Sequence, residues 1–448
     1  MKKALLSTSA IALVAVAAPA TAAEWEVRIG GYAEMELAYG TTDIEVDSDF
    51  ASIVNGDIDF EGLDSDDLAD LTSLLGFDPT AEGVTFGGLD LDLTDPDVDG
   101  VGLHRDMEAT LTASITLDNG LQFGAQAELE LETTTTNNTD ENEVFIEGAF
   151  GEIVLGNEDA AGERMAFVAP DVGIIAANSG TMSEFIRYDL TPGYTGGSFL
   201  LTSLNETFQS DATGITYFTP RLAGVQLGVS YFRTPDGGQD ESLLNDLNDD
   251  DIAHSVSFGA NFVQNFGGFD VAVSGFYSFA QAQQAGDEDP EIYGFGVNVG
   301  FAGFTVGGSW GEGNDLDVIG DVDGRGWDVG VSYETGPFAV SAAFFRGETS
   351  VPEGFVSLGI LGSETVLSPV VDGEGTPIAD TFVESEEDIG GSVDLPGYDE
   401  EINLINISGT YTLAQGVVLV VEGGYADYEN DVAEADGFFI GTGVDLSF

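Results

Sequence analysis

The sequence predicts an all-β fold, an antiparallel β-barrel that crosses a membrane with its strands, and three observations predict it. Apolar and polar side chains alternate along many segments, short turns alternate with long loops, and the last strand runs to the final residue, Phe448. Period-two alternation places one set of side chains on each face of a sheet. Across 437–448 the even positions from Phe438 are nearly all apolar, and the odd ones, Phe439 apart, are small or polar. A final strand with an aromatic C-terminal residue has the form of the assembly signal that outer-membrane barrels carry.

At the other end, Met1-Lys2-Lys3 is a short positive start, Ala4 to Ala18 is apolar, and Ala20-Thr21-Ala22 supplies a cleavage site. This reads as a secretory signal peptide, 1–22, ahead of a mature barrel, 23–448. No later stretch approaches the ~20 continuous apolar residues of a membrane helix. The absence of cysteine suits an oxidising compartment without using disulfides.

The formal net charge is −71, from 81 acids against 10 basic residues, and two of those ten are Lys2 and Lys3. The basic residues left after cleavage are all arginine. Such a charge excludes nucleic acid as a partner. Yet 43% hydrophobic residues and 61 glycines exclude a disordered acidic chain. Acidic and apolar residues must therefore be segregated.

The first strand shows how. Trp25, Val27, Ile29, Ala33, Met35, Leu37 and Tyr39 alternate with Glu26, Arg28, Tyr32, Glu34 and Glu36. The pattern returns at 121–132, 293–301 and 327–333. In a soluble sandwich the apolar face would be a core; in a membrane barrel it faces lipid and the polar face lines the lumen. The turns decide between them. Asp118-Asn119-Gly120, Ala149-Phe150-Gly151, Asn265-Phe266-Gly267-Gly268, Ala302-Gly303, Thr335-Gly336-Pro337 and Ala414-Gln415-Gly416 are short, and a longer acidic stretch follows each next strand. Short turns on one side and long loops on the other describe a bacterial outer-membrane barrel. The strands read as 25–40, 104–118, 121–133, 142–149, 151–157, 213–219, 222–233, 251–266, 268–281, 290–302, 303–313, 325–336, 337–349, 400–413, 416–428 and 436–448. That makes 16, or 18 if 183–204 adds a hairpin. Long acidic extracellular loops are expected at 41–103 and 350–399.

The block from Glu143 to Asn157 resembles the strand pair that precedes the constriction loop of general bacterial porins. The stretch from Ile215 to Tyr231 is similar to the hairpin that follows that loop in alphaproteobacterial members. The resemblance implies a homotrimer of 16-stranded barrels in the outer membrane, each with a loop, here 158–212, folded into the pore. It also implies passive diffusion of small hydrophilic solutes and ions.

Strand parity places Glu34, Glu128, Glu130 and Glu147 on the inner wall, with Arg28 as the cation among them. The constriction loop adds Glu158, Asp159, Glu163, Asp171 and Glu184 against Arg164 and Arg187. Rings of acids favour cations through a pore, so the channel is expected to be cation-selective. Arg105, Arg233, Arg325 and Arg346 share outward parity at the extracellular end. Arginine there can lay its stem along the apolar band and offer its guanidinium to lipopolysaccharide phosphates. In the loop 41–103, which carries 18 acids, Asp95, Asp97, Asp99 and Gly100, with Asp106 at the twelfth position, match the core of a calcium loop. Pro96, Gly102 and the final Asp depart from that pattern. No required cofactor is expected beyond this candidate Ca²⁺.

Catalytic constellations are thin. His104 and His254 are the only histidines, and Ser255 points to the opposite face from His254. The sequence reads as a channel and not an enzyme. The other reading is a non-conducting, acidic, calcium-binding surface or adhesion protein.

Overall fold

In a computed structural model the described residues are 24–46, 98–131, 139–191, 194–197, 199–204, 212–233, 252–282, 288–316, 322–351, 357–371, 377–394, 397–431 and 433–448. The strands of the first half are β1 (Glu26–Val46), β2 (Val98–Thr116), β3 (Gln122–Glu130), β4 (Thr139–Gly148), β5 (Gly151–Glu158), β6 (Ala212–Phe218), β7 (Val225–Phe232), β8 (Ile252–Phe266) and β9 (Phe269–Ala282). Those of the second half are β10 (Glu291–Phe301), β11 (Phe304–Asn314), β12 (Asp323–Thr335), β13 (Phe338–Val351), β14 (Ser357–Val371), β15 (Pro377–Asp394), β16 (Tyr398–Ala414), β17 (Val417–Glu429) and β18 (Ala433–Ser447).

All but β14 and β15 form one closed antiparallel barrel of 16 strands, each paired with its neighbours in chain order and β1 pairing both β2 and β18. Closure satisfies the ladder hydrogen bonds that an open sheet would expose to lipid. The seam is finished by the last residue: the Phe448 N–H donates to the Gly31 carbonyl and Gly31 N–H donates back, both at 3.1 Å.

One mouth carries turns of two to six residues between paired strands, and the other carries the loops. At the tightest turn Gly267 and Gly268 have φ of 63° and 104°, a backbone that glycine adopts without a Cβ penalty. The outer wall is apolar on every side: Ile29 is 68% exposed, Ile407 61% and Ile440 60%. A continuous exposed apolar band of this kind faces lipid. Aromatic pairs edge the band at the turn side, with ring centroids 4.4 Å apart for Phe269 and Phe301, 4.3 Å for Phe304 and Tyr333, and 4.9 Å for Phe338 and Tyr411. At the loop side the Tyr231 hydroxyl meets His254 Nδ1 at 2.9 Å, and Tyr277 and Tyr293 donate to Glu291 and Glu312, each at 2.9 Å. Amphipathic rings of this kind suit the two membrane interfaces.

Four expectations change. The segment 183–204 adds no wall strands; its regular structure is the two short 3₁₀ turns Thr181–Glu184 and Tyr188–Leu190, so the count is 16 and not 18. The loop expected at 41–103 is shorter at both ends, because β1 runs to Val46 and β2 begins at Val98. That extension disrupts the calcium loop. Asp99 and Asp106 both lie in extended β2, where seven residues span about 23 Å, too far to share one ion; Asp95 and Asp97 lie outside the described residues, as does 1–22. Finally, 350–399 contains a two-stranded ribbon, β14 with β15, paired from Ser357 with Asp394 to Val371 with Pro377.

Candidate functional site

The connection from β5 to β6 turns into the barrel and follows its inner wall. It opens with the short helix α1 (Ala161–Met165). Its backbone N–H groups then donate to wall side chains in succession. Ala161 donates to Ser230 Oγ at 2.8 Å, Gly162 to Ser257 Oγ at 3.0 Å and Phe167 to Ser274 Oγ at 2.9 Å. Ala169 donates to Asp328 at 3.1 Å and Val172 to Ser341 Oγ at 3.1 Å. Ile174 and Ile175 both donate to Glu422 Oε1, at 2.9 and 3.0 Å. Further on, Arg187 N–H donates to Thr42 Oγ1 at 2.7 Å and Thr195 N–H to Glu400 Oε1 at 2.9 Å. The wall also donates in return: Asn261 to the Met165 carbonyl at 3.2 Å and Asn298 to that of Val168 at 3.0 Å. A loop with only one short helix and two 3₁₀ turns of its own thus finds partners for these buried backbone groups on the wall, as burial requires.

Wall glycines make room for this path. A Cβ on Gly296 would overlap the Phe167 carbonyl oxygen, and one on Gly40 that of Phe185. Beyond Val172 the loop builds an apolar core inside the barrel. Ile175, Met182, Phe185, Ile186, Tyr188 and Leu200 pack on Ile44, Phe345, Ile402, Leu404, Tyr428 and Phe439 of the wall. Ile402 and Leu404 face inward while Ile405 and Ile407 face lipid, so this strand is apolar on both faces where the loop covers it. Burial pushes the Tyr188 hydroxyl above its ordinary pKa.

The loop covers wall from β7 round to β18 and β1. Apart from the end of β2 at Gly102 and His104, where the loop touches it, the wall of β2 to β5 is left to the lumen with Glu34 at its edge, and it is acidic. Glu34 pairs in register with Asp106, Glu108 with Glu130, Thr110 with Glu128, and Gln126 with Glu143. Glu147 lies at the turn-side mouth opposite Glu152. Glu108, Glu130 and Asp140 bring carboxylate oxygens within 4.8 Å of one another.

The arginines of this region do not oppose the acids across the pore. Arg28 sits near the turn-side mouth, bonded to Glu26 at 2.7 Å. Arg164 pairs with the buried Glu158 at 3.0 Å and lies 4.9 Å over the Phe218 ring. Arg187 bonds Asp189 at 2.8 and 2.9 Å, and that bond raises the Arg187 pKa. Asp159 and Glu163 are half-buried beside α1. Asp171, expected in the constriction, is turned back into the anchorage and accepts from Gly173 N–H at 2.8 Å and Ser341 Oγ at 3.0 Å. Glu184 meets His104 Nδ1 at 2.9 Å and ties the loop to β2.

Outside, Arg105, Arg233, Arg325 and Arg346 have the outward parity expected. Arg325 and Arg346 are linked through Glu348, with Arg346 also bonded to Glu401, so both are committed to a wall network. Of the anchoring set, strand alternation alone places Asp328 and Glu422 on the inner wall as acids, while nothing local marks them, or Ser230, Ser257, Ser274, Ser341 and Glu400, as anchors of the loop. The signal of the set is a change of inner-face composition, from Glu and Gln on β3 to β5 to Gly and Ser on β8 to β13.

A family model described as Gram-negative porin matches residues 8–431. The chain is similar to a porin of Rhodobacter capsulatus, 28% identical over 251 residues that cover 50% of this chain and 81% of that protein. It is also similar to an uncharacterised protein of Rickettsia bellii, 30% identical over 166 residues, 32% of this chain and 37% of the other. The chain thus matches little more than a third of that relative's length. Two solved structures share the fold at a TM-score of 0.50. One is the anion-selective porin of Comamonas acidovorans, 13% identical, with 95% of this chain and 100% of that one covered. The other is a loop-deletion mutant of OmpT, an outer membrane protein of Vibrio cholerae, 12% identical, covering 95% and 99%.

Proposed function

The chain belongs to the Gram-negative porin family and resides in the outer membrane, and from that premise we propose that it is a cation-preferring channel for passive diffusion of small hydrophilic solutes and ions, assembled as a homotrimer. The observation that carries the preference is the pairing of charges. Arg28, Arg164 and Arg187 are each bonded to an acid, while Glu34, Asp106, Glu128 and Glu130 share the wall the loop leaves uncovered. Acids lining a narrow passage draw cations and repel anions. Reversal potentials under a KCl gradient across a planar bilayer test this; a channel that passes chloride better than potassium refutes it. Cross-linking of the membrane-extracted protein tests the trimer. Arg105 and Arg233 support the lipopolysaccharide reading better than the other pair, since Arg325 and Arg346 spend their donors on Glu348 and Glu401.

A further inference from the structure

Behind the loop, two carboxyl groups meet. Glu36 of β1 is fully buried, and neither of its oxygens accepts a hydrogen bond from any donor among the described residues. Its Oε1 lies over Gly441 of β18, and Gly441 is paired in register with Glu422 of β17, which makes the Glu422 carboxylate its neighbour. The intervening strand permits this through Gly441 and Gly443: a Cβ on Gly441 would collide with Glu36 Oε1, and one on Gly443 would lie 2.6 Å from the Ile174 side chain. Glu422 is also the anchor that takes two loop N–H groups, with Ser408 Oγ donating to its other oxygen at 2.8 Å and Asn406 at 3.2 Å.

The charged surroundings offer no compensation. Glu34 lies on the same strand, His104 and Asp106 face from β2, Asp445 from β18, and Asp171 from the loop. His104 is itself bonded to Glu184. A buried carboxyl without a donor or a counterion is disfavoured as an anion.

We infer that Glu36 keeps its proton and donates it to Glu422, and that this hydrogen bond latches the inner loop to the wall at Ile174 and Ile175. With the proton in place, the Glu36 O–H donates to Glu422, which goes on accepting from the loop amides of Ile174 and Ile175. Transfer of the proton to hydroxide leaves two adjacent anions, which repel and release the loop edge. The latch is present at neutral pH and lost as pH rises. Glu36 acts through Glu422 and is a positioning residue.

The inference rests on the channel reading only for its first measurement. Single-channel conductance of the native protein is scanned from about pH 6 to about pH 11, a range that brackets the pH 8–9 reached by documented buried glutamic acids. A step to higher conductance is expected, and Glu36→Gln, whose amide donates without a proton to lose, should abolish it. Hydrogen exchange of the loop peptide 172–177, compared between native protein and variant at each pH, reports the latch in a barrel that conducts nothing. The native loop should lose protection relative to the variant only at alkaline pH. Glu422→Gln serves in the same way if Glu36→Gln does not fold. Equal exchange in native protein and variant across the scan overturns the latch, as does a conductance step that survives the substitution; absent conductance with the exchange difference intact overturns only the channel reading.

Discussion

The carbonyl oxygen of Phe167 rests directly on Gly296 of β10, in the place where a side chain would begin. Phe167 N–H is bonded at the same point to Ser274 on the adjacent β9. One residue of the loop is therefore fixed by a donor and by a space, and both belong to the wall.

Gly296→Ala removes the space. The loop must lift, at a cost of about 1–3 kcal/mol typical of overpacking, while the barrel ladder is untouched. The expected result is a normally folded barrel whose loop is cleaved faster by added protease. Cleavage at the native rate would show that the wall and not the loop yields.

Combined Ser230→Ala, Ser257→Ala and Ser274→Ala substitutions strip donors' partners from Ala161, Gly162 and Phe167. A buried amide left unpaired costs roughly 1–3 kcal/mol. Thermal unfolding monitored by far-ultraviolet circular dichroism should keep its main transition, since the barrel ladder remains. Channel current should become noisy, and quiet single-level current in the triple variant would contradict the anchoring role.

Arg164→Gln leaves Glu158 buried without its counterion. It also removes a positive charge from the constriction, so the potassium-to-chloride permeability ratio should rise. An unchanged ratio would mean that Arg164 is shielded from the permeation path.

Arg105→Gln with Arg233→Gln should lower the lipopolysaccharide that copurifies with the barrel. Arg325→Gln with Arg346→Gln should act instead on heat stability, because Glu348 and Glu401 lose their partners. Burial pulls the Glu348 network only part-way from water, so a shift of a few degrees is expected, about 1 kcal/mol or less. The reverse assignment of the two effects would exchange the roles of the pairs.

Asp99→Asn should leave calcium affinity unchanged in isothermal titration, because β2 holds Asp99 far from Asp106. A lost saturable site would require the strand to unpair.

The wall could be read from the chain because lipid and water impose period two on every strand and the turns differ in length by side. Each expected strand is present, with ends moved by a few residues. What could not be read is where that rule is suspended. The runs Phe185-Ile186 and Phe199-Leu200-Leu201 have the apolarity of a strand, yet Phe185, Ile186, Leu200 and Leu201 bury themselves in the cluster of Ile402, Leu404 and Phe439, and Phe199 in that of Phe276 and Ile292, inside the barrel. Asp171 looks like any lumen acid until its partner Ser341, 170 residues away, is seen to donate to it. Local pattern reports the environment of a strand; it is silent about a loop whose environment is assembled from distant strands.

The anchors of the loop are spread along the sequence in a way that orders events in time. Ala161 waits for Ser230, Ala169 for Asp328, and Ile174 for Glu422, with separations of 69, 159 and 248 residues. Contacts of that span form late, because the intervening chain must first be placed. Glu422 is in the penultimate strand, beside the seam where Phe448 meets Gly31. Docking of the loop is thus a final act of maturation: the cylinder is completed first, and only then can the passage narrow to its working bore.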